Sequence, residues 1–456
     1  MKFPKNLNNL NNLIYLYLFI FIFLFCYTFY RAEFIHNGEQ LNYYYKYYLI
    51  FLLNVIFWFS VLFFLNNKKK KLILILASSL IFIFYFYETV RFFSPTLLNL
   101  KIVKNLKIKK INSKQITKLD IIEKIKNETG NEVYPSFLPK LFLNQKIDLF
   151  PLGGISNVTT VFCKESKEFS IYQSDRYGFN NSDDEWNSKE IFWYLIGDSY
   201  TQGSCVKQNE NFASQIKYLD KKNVISLGMA GSGPLIELAS LKEYSKVFKP
   251  KKILWFYSER NDQSDLNYEK SNPILMNYLK EDFSQNLYSK QKEIDKKIKN
   301  YIEFIKKNIT KNNFLNKDKE ENFHAFKKII RLKIIRDKTS LDRGLKFDID
   351  PLFKEIIATA NNFVNKYDGK LYFVYLPDKE RYSANKKDNK YLKKTQVINM
   401  IKDLNIPIID IDADLLRKHN DPLSFYAQRV YGHYSPKGYS EIARFILDEV
   451  NKLNKK

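Results

Sequence analysis

The sequence predicts an α/β fold with a mainly parallel sheet, preceded by a membrane anchor of three helices. Beyond residue 190, short apolar runs rich in β-branched and aromatic residues alternate with amphipathic stretches, which is typical of βα units. Within the first hundred residues, three apolar runs are each long enough to cross a bilayer as a helix. These observations divide the chain into an anchor and a larger soluble portion.

The composition excludes several classes of protein. A chain of 456 residues with 45% hydrophobic residues, 14 Gly and 13 Pro is neither disordered nor fibrous. Three cysteines are too few for a disulfide-rich scaffold or for a zinc site of four cysteines. The net charge of +24 suits a nucleic acid or an anionic membrane, but the excess lysine is spread along the whole chain. We therefore predict no nucleic-acid partner, and the sequence does not indicate an oligomeric state.

The anchor is predicted over residues 1–100, with spans at about 13–30, 47–65 and 72–93. The first run is uncharged, and its 18 residues cover roughly 27 Å, close to the thickness of the bilayer core. This run is too long for the apolar core of a signal peptide and lacks small residues before a cleavage site. We therefore expect an integral membrane protein with several spans.

Basic residues near the spans predict which side of the membrane the soluble portion occupies. Lys2 and Lys5 precede the first span, and four lysines at 68–71 separate the second span from the third. Three spans place these two segments on the same side, which the positive-inside rule assigns to the cytoplasm. The remainder is then extracytoplasmic. Lysines between residues 101 and 110 also lie near a membrane end and favour the opposite orientation.

Five strands are predicted in the soluble portion, and several of them are followed by polar clusters. They lie at 192–196, 223–227, 252–257, 371–376 and 406–411. In parallel sheets, functional residues collect at the carboxyl ends of the strands. The polar clusters are therefore the first places to look for a functional site.

Two segments do not follow this alternation. Residues 101–165 are polar and rich in lysine, and we expect a connector there. The following domain, at 166–456, is expected to contain a helical insertion at about 264–365. Within that insertion, 286–335 lacks Gly and Pro and has apolar residues at helical spacing. The insertion fits a lid, a membrane-surface element, an oligomer contact or a solvated hairpin.

Two motifs after the first two predicted strands contain residues suited to acyl chemistry. Ser199 lies in GDSYTQG at 197–203, where a tight strand-to-helix turn would hold a serine hydroxyl at the sheet edge. The same Asp-Ser pair also fits an ordinary helix cap. Gly231 lies in GMAGSGP at 228–234, where a glycine lets a backbone N–H approach a reacting oxygen, or simply forms a turn.

Two further motifs contain a polar side chain that fits the same chemistry. Asn261 lies in ERND at 259–262, and its amide either completes an oxyanion hole or belongs to a polar loop. His433 lies in GHYSPKG at 432–438, before a predicted final helix at 440–453, and is one of four histidines in the chain. It fits a general base, although a single histidine is more often structural.

Taken in order, the four motifs resemble the sequence blocks of the SGNH (GDSL-type) hydrolase superfamily, over roughly residues 170 to 450. The resemblance implies a flavodoxin-like three-layer α/β domain and acyl transfer without a metal or other cofactor. It implies that Ser199 is the nucleophile and His433 its base. The backbone of Ser199 and Gly231 and the side chain of Asn261 would be the oxyanion donors. The stretches DRYGFNN and SGPLIELASLKEY resemble a membrane-attached bacterial branch, which implies the bacterial inner membrane.

The sequence departs from the family pattern at two positions. The family usually has Asp three residues before the histidine, where this chain has Val430. The triad acid is then another carboxylate, for example Asp421, or a backbone carbonyl orients the histidine, or the site is impaired. Glu259 stands where the family has Gly. Its carboxylate would hinder an oxyanion unless it points away or pairs with a cation.

The cysteines of the soluble portion leave two alternatives open. Cys163 and Cys205 both lie in the part expected outside the cytoplasm. In an oxidising compartment they could form a disulfide, and two unrelated buried thiols fit the sequence equally well.

Three functions are compatible with these residues. The leading hypothesis is a membrane-anchored serine esterase that removes acyl groups, with O-acetyl groups on a surface glycan as the expected substrate. An acyltransferase would use the same residues, with a sugar hydroxyl in place of water. A non-catalytic scaffold in envelope polysaccharide assembly would retain the fold, with Val430 and Glu259 as marks of a decayed site.

Overall fold

The computed structural model describes residues 7–35, 41–106, 117–145, 147–165, 168–312, 329–339, 341, 349–382 and 393–455. The chain divides into two compact units. The first contains residues 1–114 and 308–346, and the second contains 115–307 and 347–456.

Fourteen α-helices are assigned within these described ranges. In chain order they are α1 (Leu7–Tyr30), α2 (Leu41–Phe64), α3 (Asn67–Leu106), α4 (Lys118–Thr129), α5 (Ser199–Gln202), α6 (Phe212–Asp220), α7 (Pro234–Phe248), α8 (Asp262–Glu269), α9 (Pro273–Asn277), α10 (Gln291–Asn312), α11 (Lys333–Lys338), α12 (Pro351–Asn365), α13 (Lys393–Asp403) and α14 (Pro436–Leu453).

Eight strands form two sheets in the second unit. They are β1 (Val133–Pro135), β2 (Thr159–Val161), β3 (Ile171–Gln173), β4 (Trp193–Ile196), β5 (Val224–Ser226), β6 (Lys252–Ser258), β7 (Lys370–Leu376) and β8 (Ile408–Asp410). The first three strands make a small sheet, and the last five make a larger one.

The first unit contains the three predicted apolar helices. By length and composition, Leu10–Phe34, Tyr43–Phe64 and Asn67–Val90 are each able to cross a membrane. Large apolar side chains cover their outer surfaces, and Phe64 and Phe82 are 81% and 70% exposed. A surface of this kind is stable against hydrocarbon and unfavourable in water. The prediction of three apolar helices, each long enough to cross a membrane, is confirmed.

Part of the predicted insertion belongs to this first unit. Glu88 of α3 is fully buried, and its two carboxylate oxygens accept hydrogen bonds from the backbone N–H groups of Ile334 (2.6 Å) and Ile335 (3.0 Å). Arg336 donates hydrogen bonds to the hydroxyl groups of Tyr43 (2.8 Å) and Tyr47 (2.9 Å) on α2. The short helix α11 is therefore fastened to α2 and α3 by charged and aromatic side chains.

The larger sheet is parallel throughout, with the strand order β5-β4-β6-β7-β8. This is the flavodoxin-like order, in which the first strand lies between the second and the third. All five predicted strands are present. Strands β4 to β7 begin and end within one residue of their expected bounds, and β8 starts two residues late and ends one residue early. The predicted α/β fold class is confirmed.

Both faces of this sheet are covered by helices, which makes three layers. Tyr194 and Ile196 of β4 belong to one buried cluster, together with side chains of α7 and α12. Trp193 and Leu195 belong to a second buried cluster, together with side chains of α6 and α14. Because successive residues of a strand point to opposite faces, burial on both sides explains why the strands are continuous apolar runs.

Much of the segment expected to be a connector, residues 101–165, is folded into helices and strands. Residues from 115 onward belong to the second unit, where α4 and the small sheet of β1, β2 and β3 lie. Strands β1 and β2 are parallel, and β2 and β3 are antiparallel. The small sheet extends across the expected boundary at residue 166, since β1 and β2 precede this residue and β3 follows it. Strands of three residues in a polar context have too short a pattern to be recognised from the sequence.

A buried carboxylate organises the loop between β3 and β4. Asp175 is fully buried and accepts hydrogen bonds from the backbone N–H groups of Tyr177 (2.9 Å) and Phe179 (2.8 Å). It also accepts one each from the Asn181 amide and the Trp186 indole, both at 2.8 Å. Burial raises the pKa of Asp175 to about 6, since the charged form loses its hydration.

We expect Asp175→Ala to lower the free energy of unfolding by about 2–4 kcal/mol, because four donors would lose their acceptor. Asp183→Ala is the control, since Asp183 pairs with Arg176 at the surface and should cost about 1 kcal/mol or less. Urea unfolding of the second unit within the detergent-solubilised chain, followed by near-UV circular dichroism, measures both. Equal losses would contradict the role given to Asp175.

Candidate active site

Three of the four sequence motifs lie where β4, β5 and β6 end. Ser199 follows β4, the Gly-rich turn with Gly231 follows β5, and Asn261 follows β6. Since these three strands are neighbours and parallel, their carboxyl ends share one edge of the sheet. In a flavodoxin-like sheet this edge, at the point where the strand order reverses, is where ligands bind.

Ser199 is the first residue of α5. The Asp198 carboxylate caps this helix by accepting a hydrogen bond from the Tyr200 N–H at 2.9 Å. The N–H of Ser199 has no acceptor within the helix, because the first N–H groups of any helix lack one. The hydroxyl oxygen of Ser199 lies 2.9 Å from Nε2 of His433. Asp198 is therefore a cap, and Ser199 is hydrogen-bonded to the predicted base.

Backbone contacts and packing position the loop that carries His433. The Tyr200 hydroxyl donates a hydrogen bond to the Gly432 carbonyl at 2.6 Å. The backbone N–H of Ala427 donates to the His433 carbonyl at 2.9 Å. The ring of Tyr200 also lies against the imidazole, with 5.0 Å between the ring centres. The residue after the serine thus helps to position the histidine.

The acid that contacts His433 is Glu165. Its Oε1 lies 2.7 Å from Nδ1 of His433, and its Oε2 accepts the His433 backbone N–H at 3.3 Å. The Asp421 carboxylate, which the sequence suggested as an acid, instead accepts two hydrogen bonds from Arg429 at 2.7 and 2.8 Å. The Asp421 oxygens are thus engaged by a neighbouring guanidinium group, and the carboxylate that contacts the imidazole is that of Glu165.

Ser199, His433 and Glu165 form a continuous series of hydrogen bonds. The order of serine, imidazole and carboxylate is that of a catalytic triad, which is recognised by geometry rather than by sequence position. Sequence reasoning missed Glu165, which lies outside all four motifs. The one available signal was the alternative that Cys163 pairs with Cys205, since that bond would bring residue 165 close to residue 199.

The structure contains the disulfide between Cys163 and Cys205, whose Cα atoms are 5.0 Å apart. Of the two alternatives for these cysteines, the paired one is observed. The sulfur of Cys205 and one ligand atom each of Glu165 and His433 all lie within 4.8 Å of one another. These atom types suit a metal ion, but the sulfur is bonded to Cys163, and the other two groups are hydrogen-bonded to each other.

The Gly-rich turn is shaped by Gly231 and held by Gln202. Gly231 has a φ of +74°, in the left-handed region that favours glycine. Within the described ranges, its N–H donates no hydrogen bond. The preceding N–H, that of Ala230, donates to the side-chain carbonyl of Gln202 at 2.7 Å. The amide nitrogen of Gln202 in turn donates to the hydroxyl groups of Ser136 and Tyr172, at 3.1 and 3.0 Å.

Hydrogen bonds at both ends of its amide fix the orientation of Asn261. Its Oδ1 accepts a hydrogen bond from the Ser258 hydroxyl at 2.6 Å, and its Nδ2 donates to Asp265 at 2.9 Å. Nδ2 has a second N–H, which is the group that an oxyanion would use.

Glu259, which replaces the usual glycine, is engaged by other side chains. Its carboxylate forms an ion pair with Arg381 and accepts hydrogen bonds from the Tyr375 hydroxyl (2.6 Å) and the Asp378 N–H (2.9 Å). Arg381 is itself nearly buried, with 9% of its side chain exposed. The sequence analysis expected Glu259 to hinder an oxyanion unless its carboxylate pointed away or paired with a cation. In the structure it pairs with Arg381.

Buried carboxyl groups lie within the three loops and on the helices next to them. Burial raises the pKa values of Asp198, Glu237 and Asp262, because their charged forms are poorly solvated. Glu269 accepts the N–H groups of Gly233 (2.6 Å) and Leu235 (2.9 Å) at the start of α7, and burial raises its pKa to about 8. Its carboxyl group thereby links α8 to the Gly-rich turn.

Two cationic side chains lie beside glycines of the loops that carry the candidate site. The Nζ atom of Lys140 would lie 3.0 Å from a Cβ placed on Gly231, so this side chain covers the Gly-rich turn. The guanidinium carbon of Arg260 would lie 3.2 Å from a Cβ on Gly432, beside the histidine. Both side chains are exposed, and neither forms an ion pair with any residue that the structure describes.

Three solved structures are among those that match part of this chain. A lipase/acylhydrolase from Enterococcus faecalis has 14% identity and a TM-score of 0.31, and the match covers 57% of this chain and 95% of that one. A member of the lipolytic protein G-D-S-L family from Veillonella parvula DSM 2008 has 10% identity and a TM-score of 0.30, with 57% of this chain and 97% of that one covered. A psychrotrophic esterase from Pseudoalteromonas has 9% identity and a TM-score of 0.30, with 59% of this chain and 100% of that one covered. No family model and no curated protein matches the sequence.

We expect the chain to lose stability as pH rises from about 4.5 to about 8. A raised pKa means that the folded state keeps a proton that the unfolded chain releases, so raising the pH favours unfolding until the folded group also ionises. In the structure as described, neither carboxyl oxygen of Glu237 has a hydrogen-bond partner. Glu237→Gln should therefore reduce the loss of thermal stability between pH 5 and pH 8.

Differential scanning fluorimetry of the detergent-solubilised chain at the two pH values measures this loss. Glu123→Gln is the control, because Glu123 is exposed and should leave the difference unchanged. A pH difference that is the same in Glu237→Gln as in the parent would show that Glu237 is not protonated in the folded state.

Proposed function

We propose that this chain is a membrane-anchored serine ester hydrolase of the SGNH type. The single observation that supports the proposal best is the series of hydrogen bonds from Ser199 through His433 to Glu165. A serine hydroxyl 2.9 Å from an imidazole nitrogen is placed to lose its proton, and a carboxylate on the other nitrogen sets the required tautomer.

In the proposed mechanism, the Ser199 hydroxyl oxygen attacks the ester carbonyl while Nε2 of His433 takes the hydroxyl proton. Glu165 stabilises the resulting imidazolium through its hydrogen bond to Nδ1. The N–H groups of Ser199, Gly231 and Asn261 would stabilise the oxyanion, each contributing about 3 kcal/mol to the transition state. His433 then gives its proton to the departing alcohol, and a water activated by the same imidazole hydrolyses the acyl-enzyme.

The location of the site supports an extracytoplasmic substrate. Disulfides persist in oxidising compartments and are rare in the cytosol, and the Cys163–Cys205 disulfide lies beside the site. The lysines at 68–71 favour the same orientation by the positive-inside rule. We place the second unit outside the bacterial inner membrane, anchored by α1, α2 and α3. An O-acetylated surface glycan is the substrate class that this location favours.

Two alternative functions use the same fold. An acyltransferase would differ only in the acceptor, with a sugar hydroxyl in place of water. A non-catalytic scaffold would explain Val430 and Glu259 as marks of a decayed site. However, the Glu165 carboxylate contacts Nδ1 of His433, and Arg381 pairs with Glu259. These contacts favour an enzyme.

Product analysis with water as the sole acceptor, and then with added oligosaccharide, distinguishes the hydrolase from the acyltransferase.

We expect a fluorophosphonate probe to label the full-length chain, and Ser199→Ala and His433→Ala to abolish labelling. Glu165→Gln should slow labelling by about 10²- to 10⁴-fold, because it removes the charge that stabilises the imidazolium. The control is Asp421→Asn, which should label at the parental rate. A loss of labelling in Asp421→Asn together with parental labelling in Glu165→Gln would contradict the assignment of the acid.

The exposed cations Lys140, beside Gly231, and Arg260, beside Gly432, predict a preference for negatively charged esters. Lys140→Gln and Arg260→Gln should each raise KM for an anionic aryl ester by about threefold to tenfold, and should leave KM for a neutral aryl acetate unchanged. Lys221→Gln, which removes an exposed lysine that lies over Tyr218, is the control. Equal effects on the charged and the neutral ester would contradict this preference.

A further inference from the structure

Glu165 is held in the site by few contacts of its own. The ladder between β2 and β3 continues through Phe162 and Cys163, whose backbone groups bond to Ser170 at 2.9 and 2.8 Å. Beyond Cys163 this ladder ends, and Lys164 and Glu165 follow. Among described residues, Glu165 forms hydrogen bonds with His433 alone. The nearest fixed point before the acid is therefore Cys163, two residues away.

The other end of the disulfide is fixed to the serine turn. Cys205 follows α5, and the N–H of Ser204 donates a hydrogen bond to the Ser199 carbonyl at 3.0 Å. Cys205 itself has a φ of +62°, a left-handed conformation that is unusual for a residue other than glycine. The backbone around Cys205 is thus tied to the nucleophile, and the disulfide connects it to the segment that supplies the acid.

The disulfide also lies against the reacting groups rather than at a distance from them. The sulfur of Cys205 is within 4.8 Å of a Glu165 carboxylate oxygen and of a His433 ring nitrogen. A bond in this place limits how far the Glu165 segment can move from the imidazole. Without it, the Glu165 carboxylate would be held by one side-chain contact and one longer backbone contact, both to His433.

We infer that the Cys163–Cys205 disulfide positions Glu165 on His433, so that the triad is complete only when this pair is oxidised. The inference rests on the proposed serine hydrolase function. A dithiol reductant would supply two electrons and two protons, break the S–S bond to give two thiols, and itself become a disulfide. Glu165 would then lose its tether, and the imidazole would lose its orienting carboxylate. Activity is thereby restricted to an oxidising compartment.

The test is the rate of fluorophosphonate labelling at Ser199 in the full-length chain, before and after reduction with dithiothreitol. A Cys26→Ser background leaves Cys163 and Cys205 as the only cysteines. Reduction should slow labelling by about tenfold to a thousandfold, towards the rate of Glu165→Gln. Reoxidation with oxidised glutathione should restore the rate. The variant with both Cys163→Ser and Cys205→Ser should label slowly whether or not reductant is present.

The decisive comparison is reduction in the Glu165→Gln background. If the disulfide acts through Glu165, reduction should change the labelling rate of Glu165→Gln by less than about twofold. The interaction between the Glu165 carboxylate and His433, which the disulfide supports, is already absent from this variant. Equal slowing in both backgrounds would overturn the inference, since the disulfide would then act on the fold or on the serine turn. An unchanged rate in the reduced parent would also overturn it.

Failure of the proposed function would give a different result. If the oxidised parent is not labelled at all, the serine is not activated, and the hydrolase proposal fails independently of the disulfide. Melting temperatures of the oxidised and reduced chains, measured beside the labelling, show whether reduction unfolds the second unit. Unfolding would slow labelling in the Glu165→Gln background as well, and so counts against the inference.

Discussion

The adjacency of β4, β5 and β6 in one parallel sheet is the constraint on which the site depends. Because β4 lies between the other two strands, the serine turn has the Gly-rich turn on one side and Asn261 on the other. Buried clusters on both faces hold these strands in place, so that their carboxyl ends lie side by side. Short loops from distant parts of the sequence therefore come close together. Glu269 and Gln202 then join the Gly-rich turn to α8 and to the small sheet.

Much of this architecture could be predicted from the sequence, because buried strands and membrane helices are continuous apolar runs with recognisable lengths. Ser199 and His433 could be predicted because each lies in a motif beside such an element. Glu165 could not, since a single carboxylate in a polar stretch has no periodicity, and its position depends on three-residue strands and on a disulfide. Asp421 was suggested by its closeness to His433 in the sequence, but Arg429 binds its carboxylate.

The two departures from the family pattern are each matched by a compensating contact elsewhere. Val430 removes a carboxylate from the histidine loop, and Glu165 provides one from a segment far upstream. Glu259 adds a carboxylate two residues before Asn261, and Arg381 and Tyr375 bind it. A site of this kind is better recognised from the contacts between its side chains than from its sequence motifs, because the fold can bring a charged residue from any segment of the chain.

The attachment of α11 to α2 and α3 has a consequence for how proteolysis could separate the second unit from the three apolar helices. The chain passes from one unit to the other three times, because residues 308–346 belong to the first unit. A protease that cut only between α3 and α4 would leave α11 held by Glu88, Tyr43 and Tyr47. The second unit would remain tethered through the chain on both sides of α11, so shedding a free domain would require further cuts.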